Sequence, residues 1–267
     1  MPLTIMQRVD LLKGLGRPTI RDYVPLLFSE FTELHGDRYF SDDPAMLGGV
    51  GLFDGIPVTV IAQVRGRDID EVQKVNFAMS HPEGYRKALR LVKQAEKFRR
   101  PVLCFIDTPG AFCGVGAEER GQGEAIARNL HDFMIAKTPI LSVVLGEGGS
   151  GGALAIGVCD KLAMLENALY SVISPKGFAS ILWKDGSRER EAAEMIKITA
   201  DDLLSFGICD TIIAEPEGGA AKDINLTAKN ISEWLRSSLG SLVKENFDSL
   251  PDLRYQKFRK MGVFSEG

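Results

Sequence analysis

Histidine is scarce in this chain of 267 residues: only His35, His81 and His131 occur. The four cysteines (Cys104, Cys113, Cys159, Cys209) are scattered, with no C-x-x-C pair and no histidine at ligand spacing. That excludes a zinc ribbon and a disulfide framework, and it points to reduced thiols in a cytoplasmic protein. No apolar run approaches the length of a membrane span, and Met1 to Lys13 lacks the charged-then-apolar layout of a signal peptide. Positive charge is not in excess either. A net charge of -4 and a pI near 5.6 leave no electrostatic footprint for nucleic acid. There is no internal repeat and no low-complexity linker. The remaining composition, 45% hydrophobic and 25% charged, is that of an ordinary globular chain. One α/β domain spanning 1–267 is expected, with a short helical N-terminal segment over about 1–36 and a helical tail over about 225–260.

Glycine, by contrast, is plentiful and clustered. Six glycines fall within Leu145 to Gly157, directly after the apolar run Ile140 to Val144. The pattern predicts a buried strand, a tight turn and a helix starting at close range. Such a turn aims backbone N–H groups, aided by the helix dipole, at an anion or oxyanion. A glycine-rich turn also serves close packing alone.

Taken in order, Thr19 to Leu34 reads as an amphipathic helix, with Tyr23, Leu26, Leu27, Phe31 and Leu34 on one face. Leu47 to Phe53 and Ile56 to Gln63 flank Asp54-Gly55, a hairpin signal, and Gly48, Gly49 and Gly51 mark close approach of another backbone. Arg65-Gly66-Arg67-Asp68 is a cationic cluster that reads as a solvated loop. Pro82 to Phe98 forms a helix whose outer face carries Arg86, Lys87, Arg90, Lys93 and Lys97. The non-alternating run Pro101 to Asp107 predicts a strand covered on both faces. It opens into a second glycine-rich loop, Thr108 to Gly116, and a helix from Glu118 to Lys137. Short strands follow at Leu162 to Leu165, Tyr170 to Ile173 and Ile208 to Ala214. Helices are expected from Ser174-Pro175, over Glu191 to Thr199, from Asp201 to Gly207 and over Asn225 to Leu242, before a basic-aromatic tail, Tyr255 to Lys260. The alternation of strand, glycine loop and helix implies a parallel α/β sheet with both loops at the carboxyl ends of their strands, where such folds place ligands.

Three motifs overlap the first glycine cluster. Gly148-Gly149-Ser150-Gly151-Gly152 matches the G-x-S-x-G elbow, but that fold takes its histidine after the serine, and all three histidines precede Ser150. Gly146 to Gly151 matches G-x-G-x-x-G, with Glu166 at the distance of a ribose-binding acid. The helix must end by about Asp160, however, which is short for a dinucleotide unit. Ala153 after Gly152 excludes a P-loop. Glu118, Glu119 and Glu124 suit a helix N-terminus and Asp107 suits a loop cap, with no catalytic role required. Backbone N–H groups remain, suited to chemistry in which an oxygen gains negative charge and the substrate brings its own base.

Pro82-Glu83-Gly84-Tyr85-Arg86-Lys87-Ala88, Phe105-Ile106-Asp107-Thr108-Pro109-Gly110-Ala111, Gly114-Val115-Gly116-Ala117-Glu118-Glu119-Arg120-Gly121-Gln122 and Gly146 to Gly157 resemble the α-subunit family of bacterial acetyl-CoA carboxylase carboxyltransferases. Tyr170 to Pro175 and Ala179 to Lys184 continue the resemblance, which runs from about Ile20 to Tyr255. Members of that family often carry a longer helical N-terminal segment. The resemblance implies a crotonase-like (ClpP/crotonase) fold of repeated ββα units. It implies a β subunit in an α2β2 assembly, working with biotin carboxylase and biotin carboxyl carrier protein in an ATP-dependent, nucleotide-binding complex. The reaction implied moves a carboxyl group from carboxybiotin on the carrier to acetyl-CoA, giving malonyl-CoA for fatty-acid synthesis. No covalently bound cofactor is expected on this chain, which lacks a Met-Lys-Met biotinylation site, and zinc is expected only on the β partner. By position, Gly114, Val115 and Gly116, with Gly148, Gly149, Gly151 and Gly152, would form the backbone hole for the ureido oxygen of biotin. Arg120 is the first candidate for holding the carboxylate, with Arg65 and Arg67 behind it. Arg86, in the basic helix, is a further substrate-binding candidate, with contact of that helix to coenzyme A phosphates left open. The alternatives are a stand-alone crotonase-type acyl-CoA hydratase or isomerase, and a non-catalytic scaffold of a multienzyme complex.

Overall fold

Residues 3–262 are described by a computed structural model, so the outermost ends of the expected 1–267 span lie outside the described residues. The chain opens with α1 (Ile5–Lys13), started by a Thr4–Gln7 capping box, and α2 (Ile20–Leu27). The periodicity of Thr19 to Leu34 predicts one helix, but α2 stops at Leu27, and Ser29–Glu33 is a strand, β1. Tertiary packing overrides the helical period here. β1 pairs antiparallel with β2 (Met46–Phe53), and the Phe31 ring lies where a Cβ on Gly49 or Gly51 would stand. The glycines of β2 therefore make room for an aromatic strand, so the N-terminal segment is helical only in part. Asp54 and Gly55, both at positive φ, turn the chain into β3 (Ile56–Gln63), in register with β2 throughout.

A crossover through α3 (Ile69–Lys74) and α4 (Pro82–Lys97) leads to β4 (Val102–Thr108), parallel to β3 and buried along its whole length. Lys87 is not on the outer face of α4. It is buried, because the loop of residues 37–43 folds back on the helix and gives its Nζ the Asp42 carboxylate at 2.5 Å and the Asp43 carbonyl at 3.1 Å. The expected 118–137 helix is two pieces, α5 (Val115–Glu119) and α6 (Gln122–Ile135), separated at Gly121, whose φ of 81° no helix accepts. β5 (Ile140–Gly149) follows, parallel to β4, and then α7 (Ser150–Leu154).

The remaining elements are β6 (Lys161–Leu165), β7 (Leu169–Ser171), α8 (Pro175–Trp183), α9 (Glu189–Met195), α10 (Ala200–Ser205), β8 (Thr211–Ile213), α11 (Ile224–Leu242) and α12 (Leu250–Arg259). β7, α9 and β8 are each shorter than expected. The tail after Leu250 is a packed helix, because buried Arg254 bonds the carbonyls of Phe133, Met134, Ala136 and Thr138 and both oxygens of Asp160. The sheet order is β1-β2-β3-β4-β5-β6-β8, parallel from β3 onward, with α4 against α6 and over β2 and β3. β5 has two successive neighbours: Leu141 to Val144 pair with β6, and Glu147 to Gly149 pair with β7.

Candidate active site

β4 and β5 end level with each other, Thr108 opposite Gly148, so both glycine loops leave the same carboxyl edge. Gly146, Gly148 and Gly149 lie in β5, and Gly151 and Gly152 lie in α7. The turn itself falls on Ser150, which takes φ of 52° although it is not glycine. The glycines are there for close approach. A Cβ on Gly149 would stand 2.1 Å from the Pro109 carbonyl oxygen, and one on Gly152 would stand 2.5 Å from the Ala111 nitrogen. Gly151 differs from both, since its Cβ would meet only Ile126 at 3.6 Å, an ordinary contact. The two loops therefore touch backbone to backbone, through Pro109, Gly110 and Ala111 rather than through Gly114, Val115 and Gly116. The latter three begin α5, where Val115 is exposed. The starts of α5 and α7 both lack a side-chain cap, which leaves their first N–H groups for other partners.

Ser150 stands between two cavities. One, of about 90 Å³, is lined by Gly148, Gly149 and Ser150 with Lys13 and Glu147. The other, of about 540 Å³, is an apolar groove lined by Gly151, Leu154, Tyr170 and Phe178. None of the three histidines bonds Ser150. His35 and His131 pair with Asp42 and Asp132, and His81 stacks on Phe112 at 4.5 Å. Glu166 accepts the Glu215 N–H instead of facing the glycine turn. With an α7 of only five residues, these contacts remove the elbow and dinucleotide readings.

Beneath the turn lies a buried polar network. Gln63, closing β3, donates to the Gly152 carbonyl at 2.7 Å and accepts the Asp107 N–H at 3.1 Å. Asp107 in turn accepts the Glu147 N–H at 3.2 Å and pairs with Arg17 at 2.5 Å. Burial works against the Arg17 charge, but the Asp107 carboxylate outweighs it and raises the guanidinium pKa. Burial likewise pushes the Tyr170 phenol up, keeping it neutral beside the groove.

The four candidate arginines are not brought together, and Arg67 is exposed and pairs with Asp22 and Glu71. Arg65 is half-buried against Glu147, at the turn. Arg86 and Arg120 share Glu83 at 2.9 and 2.8 Å, and they line a separate cleft of about 630 Å³ with Tyr39 and Phe40. Phe40 lies under the Arg120 guanidinium and Tyr39 under that of Arg86. Of the arginines foreseen, only Arg65 stands at the glycine edge. Gln63 and Arg17 were not foreseen. A glutamine closing the apolar strand Ile56 to Gln63 is the one signal from which the first is legible, and nothing local marks the second. Among the described residues, no group of three or more His, Cys, Asp or Glu could hold a metal ion, and no helix is long and apolar enough to cross a membrane.

Comparison with known proteins gives a consistent result. Residues 1–262 match the family described as acetyl co-enzyme A carboxylase carboxyltransferase-like. The chain is 57% identical to the acetyl-coenzyme A carboxylase carboxyl transferase subunit alpha of Clostridium acetobutylicum, over 99% of this chain and 96% of the relative. It is 54% identical to the protein of the same name from Listeria monocytogenes, over 98% of this chain and 82% of that one. Among solved structures it is similar to transcarboxylase 12S (TM-score 0.67, 18% identity, 88% of this chain and 44% of that one). It is also similar to the β subunit of geranyl-CoA carboxylase from P. aeruginosa (TM-score 0.63, 16% identity, 98% and 48%). At those identities the structures establish the crotonase-type fold alone.

Proposed function

Because the chain belongs to the acetyl-CoA carboxylase carboxyltransferase α-subunit family, we propose that the edge built by residues 109–111 and 148–152 holds the ureido oxygen of biotin during carboxyl transfer. Transfer of a carboxyl group to acetyl-CoA, forming malonyl-CoA, is the function of that family, and its members are subunits of a multi-subunit acetyl-CoA carboxylase. The observation that carries the placement is the backbone contact of the two loops beside uncapped helix starts. Carboxybiotin is a substrate here, and it supplies both the carboxyl group and, once freed of it, the base for the acetyl proton. The protein then needs no histidine. It needs fixed N–H donors where the leaving oxygen becomes negative, each worth about 3 kcal/mol in comparable oxyanion holes.

The fit is reasonable in kind. Gly151 lines an apolar groove of about 540 Å³, suited to a small fused ring with one polar edge. Arg65, held by Glu147 at the same edge, is the arginine best placed to meet a carboxylate. A β partner that holds the thioester oxygen and a zinc ion, an α2β2 assembly, the biotin carboxyl carrier protein, an ATP-dependent biotin carboxylase and a cytoplasmic location belong to the same reading. Exposed Val172, which lines the groove, and exposed Ile181 and Leu182 on α8, whose Phe178 lines it, support an interface with another subunit. Gly151→Val tests the placement. A Cβ at this position meets only Ile126, at 3.6 Å, so co-expressed complex carrying the valine should assemble normally, and its bulk beside the Gly151 amide should abolish malonyl-CoA formation. Near wild-type activity would remove the Gly151 amide from the reaction.

A further inference from the structure

Gly151 and Gly152 have no side chains with which to aim their own amides, so a group outside them must do so. Gln63 does. Fully buried at the carboxyl end of β3, it makes the one side-chain hydrogen bond received by α7 backbone among the described residues, to the Gly152 carbonyl at 2.7 Å. That carbonyl is the one the short helix leaves behind. Ala155 donates to Gly151 and Ile156 donates to Ala153, so Gly152 is skipped by the ladder. The amide orientation is forced by chemistry, because a carbonyl only accepts and the Asp107 N–H, at 3.1 Å from the glutamine oxygen, only donates. Packing alone does not account for this residue. Its neighbours on β3, Val60, Ile61 and Ala62, are apolar and equally buried, and an amide among them is tolerated only when bonded.

We infer that Gln63 is a positioning residue for carboxyl transfer: it locks the Gly152–Ala153 peptide to β3 and β4 and so fixes in place the first turn of α7, which carries the Gly151 and Gly152 amides. The inference rests on the reading of that turn as the donor set. It reaches further, because Gln63 touches no substrate and acts only through the peptide it holds.

Gln63→Met keeps the volume and removes both hydrogen bonds, and Gln63→Glu keeps the acceptor and, in its ionised form, removes only the donor. Each is made in the complex co-expressed with its partner subunit. Two readouts are taken: steady-state transfer, and amide exchange of the segment 150–157. Both variants should exchange that segment about tenfold faster than wild type, with the rest of the sheet unchanged. Their kcat should fall by about 10- to 100-fold, since donors misplaced by roughly 1 Å lose effect on that scale. The KM for each substrate should stay within about twofold, which a general loss of structure at the groove would not allow. Unchanged exchange over 150–157 overturns the positioning role. Faster exchange with full activity overturns it too, and Gly151→Val assayed alongside identifies the cause. If Gly151→Val is dead, the turn is the donor set and Gln63 does not aim it. If Gly151→Val is active, the reading of the turn has failed. Should Gln63→Met not fold, Gln63→Glu carries the same two readouts.

Discussion

Replacing Gly149 and Gly151 separately by alanine separates close approach from chain flexibility. At Gly149 the new methyl group stands 2.1 Å from the Pro109 oxygen, 2.3 Å from its carbonyl carbon and 2.9 Å from the Gly110 nitrogen. All three are backbone atoms, so no side chain can rotate away. The 109–111 loop must retreat by more than 1 Å to reach ordinary contact. Overpacking of this kind costs about 1–3 kcal/mol, equivalent to a fall of roughly 3–10 °C in Tm for a domain of this size. Because the displaced loop is one wall of the proposed donor edge, transfer should also fall by about 100-fold. At Gly151 the same methyl group meets only Ile126, at 3.6 Å. Gly151→Ala should therefore leave Tm unchanged or raise it slightly through the lost freedom of the unfolded chain. Calorimetry of the two purified variants, with malonyl-CoA formation measured in the co-expressed complex, compares them directly. Equal stability and activity of Gly149→Ala and wild type would show that the loops are not in backbone contact.

Other consequences follow from the packing. Arg254→Met leaves Asp160 buried without its partner and the carbonyls at the end of α6 unpaired, so denaturant unfolding should show a loss of about 3–5 kcal/mol; Arg254→Lys should recover little of it, since one ammonium cannot span both sets. Burial pushes the Asp42 carboxyl up, but bonds from Lys87, the Gly36 amide and His35 outweigh it and hold its pKa at about 2, below the ordinary 3.8. The stability it contributes is therefore fully present above the ordinary value and lost as pH falls through about 2. Urea midpoints of wild type and Asp42→Asn should differ by a constant amount at neutral pH and converge in that acid range. Cys104, Cys159 and Cys209 are buried, and burial pushes their thiols up, Cys209 to about 11, while Cys113 is exposed. Alkylation of native protein followed by mass spectrometry should give a single adduct, on Cys113, and a second modified site in folded protein would contradict the packing.

The parallel half of the fold was legible because β4 and β5 are continuous apolar runs between glycine and proline breaks, and such runs are distinctive. Asp54-Gly55 announced the hairpin for the same local reason. What misled was information carried elsewhere in the chain. Phe31 has a helical spacing from Tyr23 and Leu27, yet it lies in a strand, because Gly49 and Gly51, some twenty residues on, leave a slot for its ring. Lys87 has the spacing of a solvated face, but Asp42 covers it. At the site, the clustering of glycines was visible, and its cause was not. The pattern suggested φ freedom, whereas Gly149 and Gly152 answer to the proximity of residues 109–111 and the one left-handed residue is Ser150. Gly114 to Gly116 were the part of the second loop expected at the site, but the register of β4 against β5 brings 109–111 there instead.

The change of neighbour along β5 has a consequence for how the protein is built and rebuilt. The half of the strand held by β6 belongs to the central sheet, while the half that carries Glu147 to Gly149 is held by β7, which is only three residues long. Mechanically the proposed donor edge is a cantilever along one side: its root lies between β4 and β6, while its tip, paired to β4 at Gly148, has only β7 on the other side. The root can be assembled and stabilised without the tip, so folding of the scaffold and tuning of the chemistry are separable tasks. Substitutions that strengthen β3, β4 and the first half of β5 should raise stability without changing turnover, and those in 169–171 should change turnover with little effect on global stability.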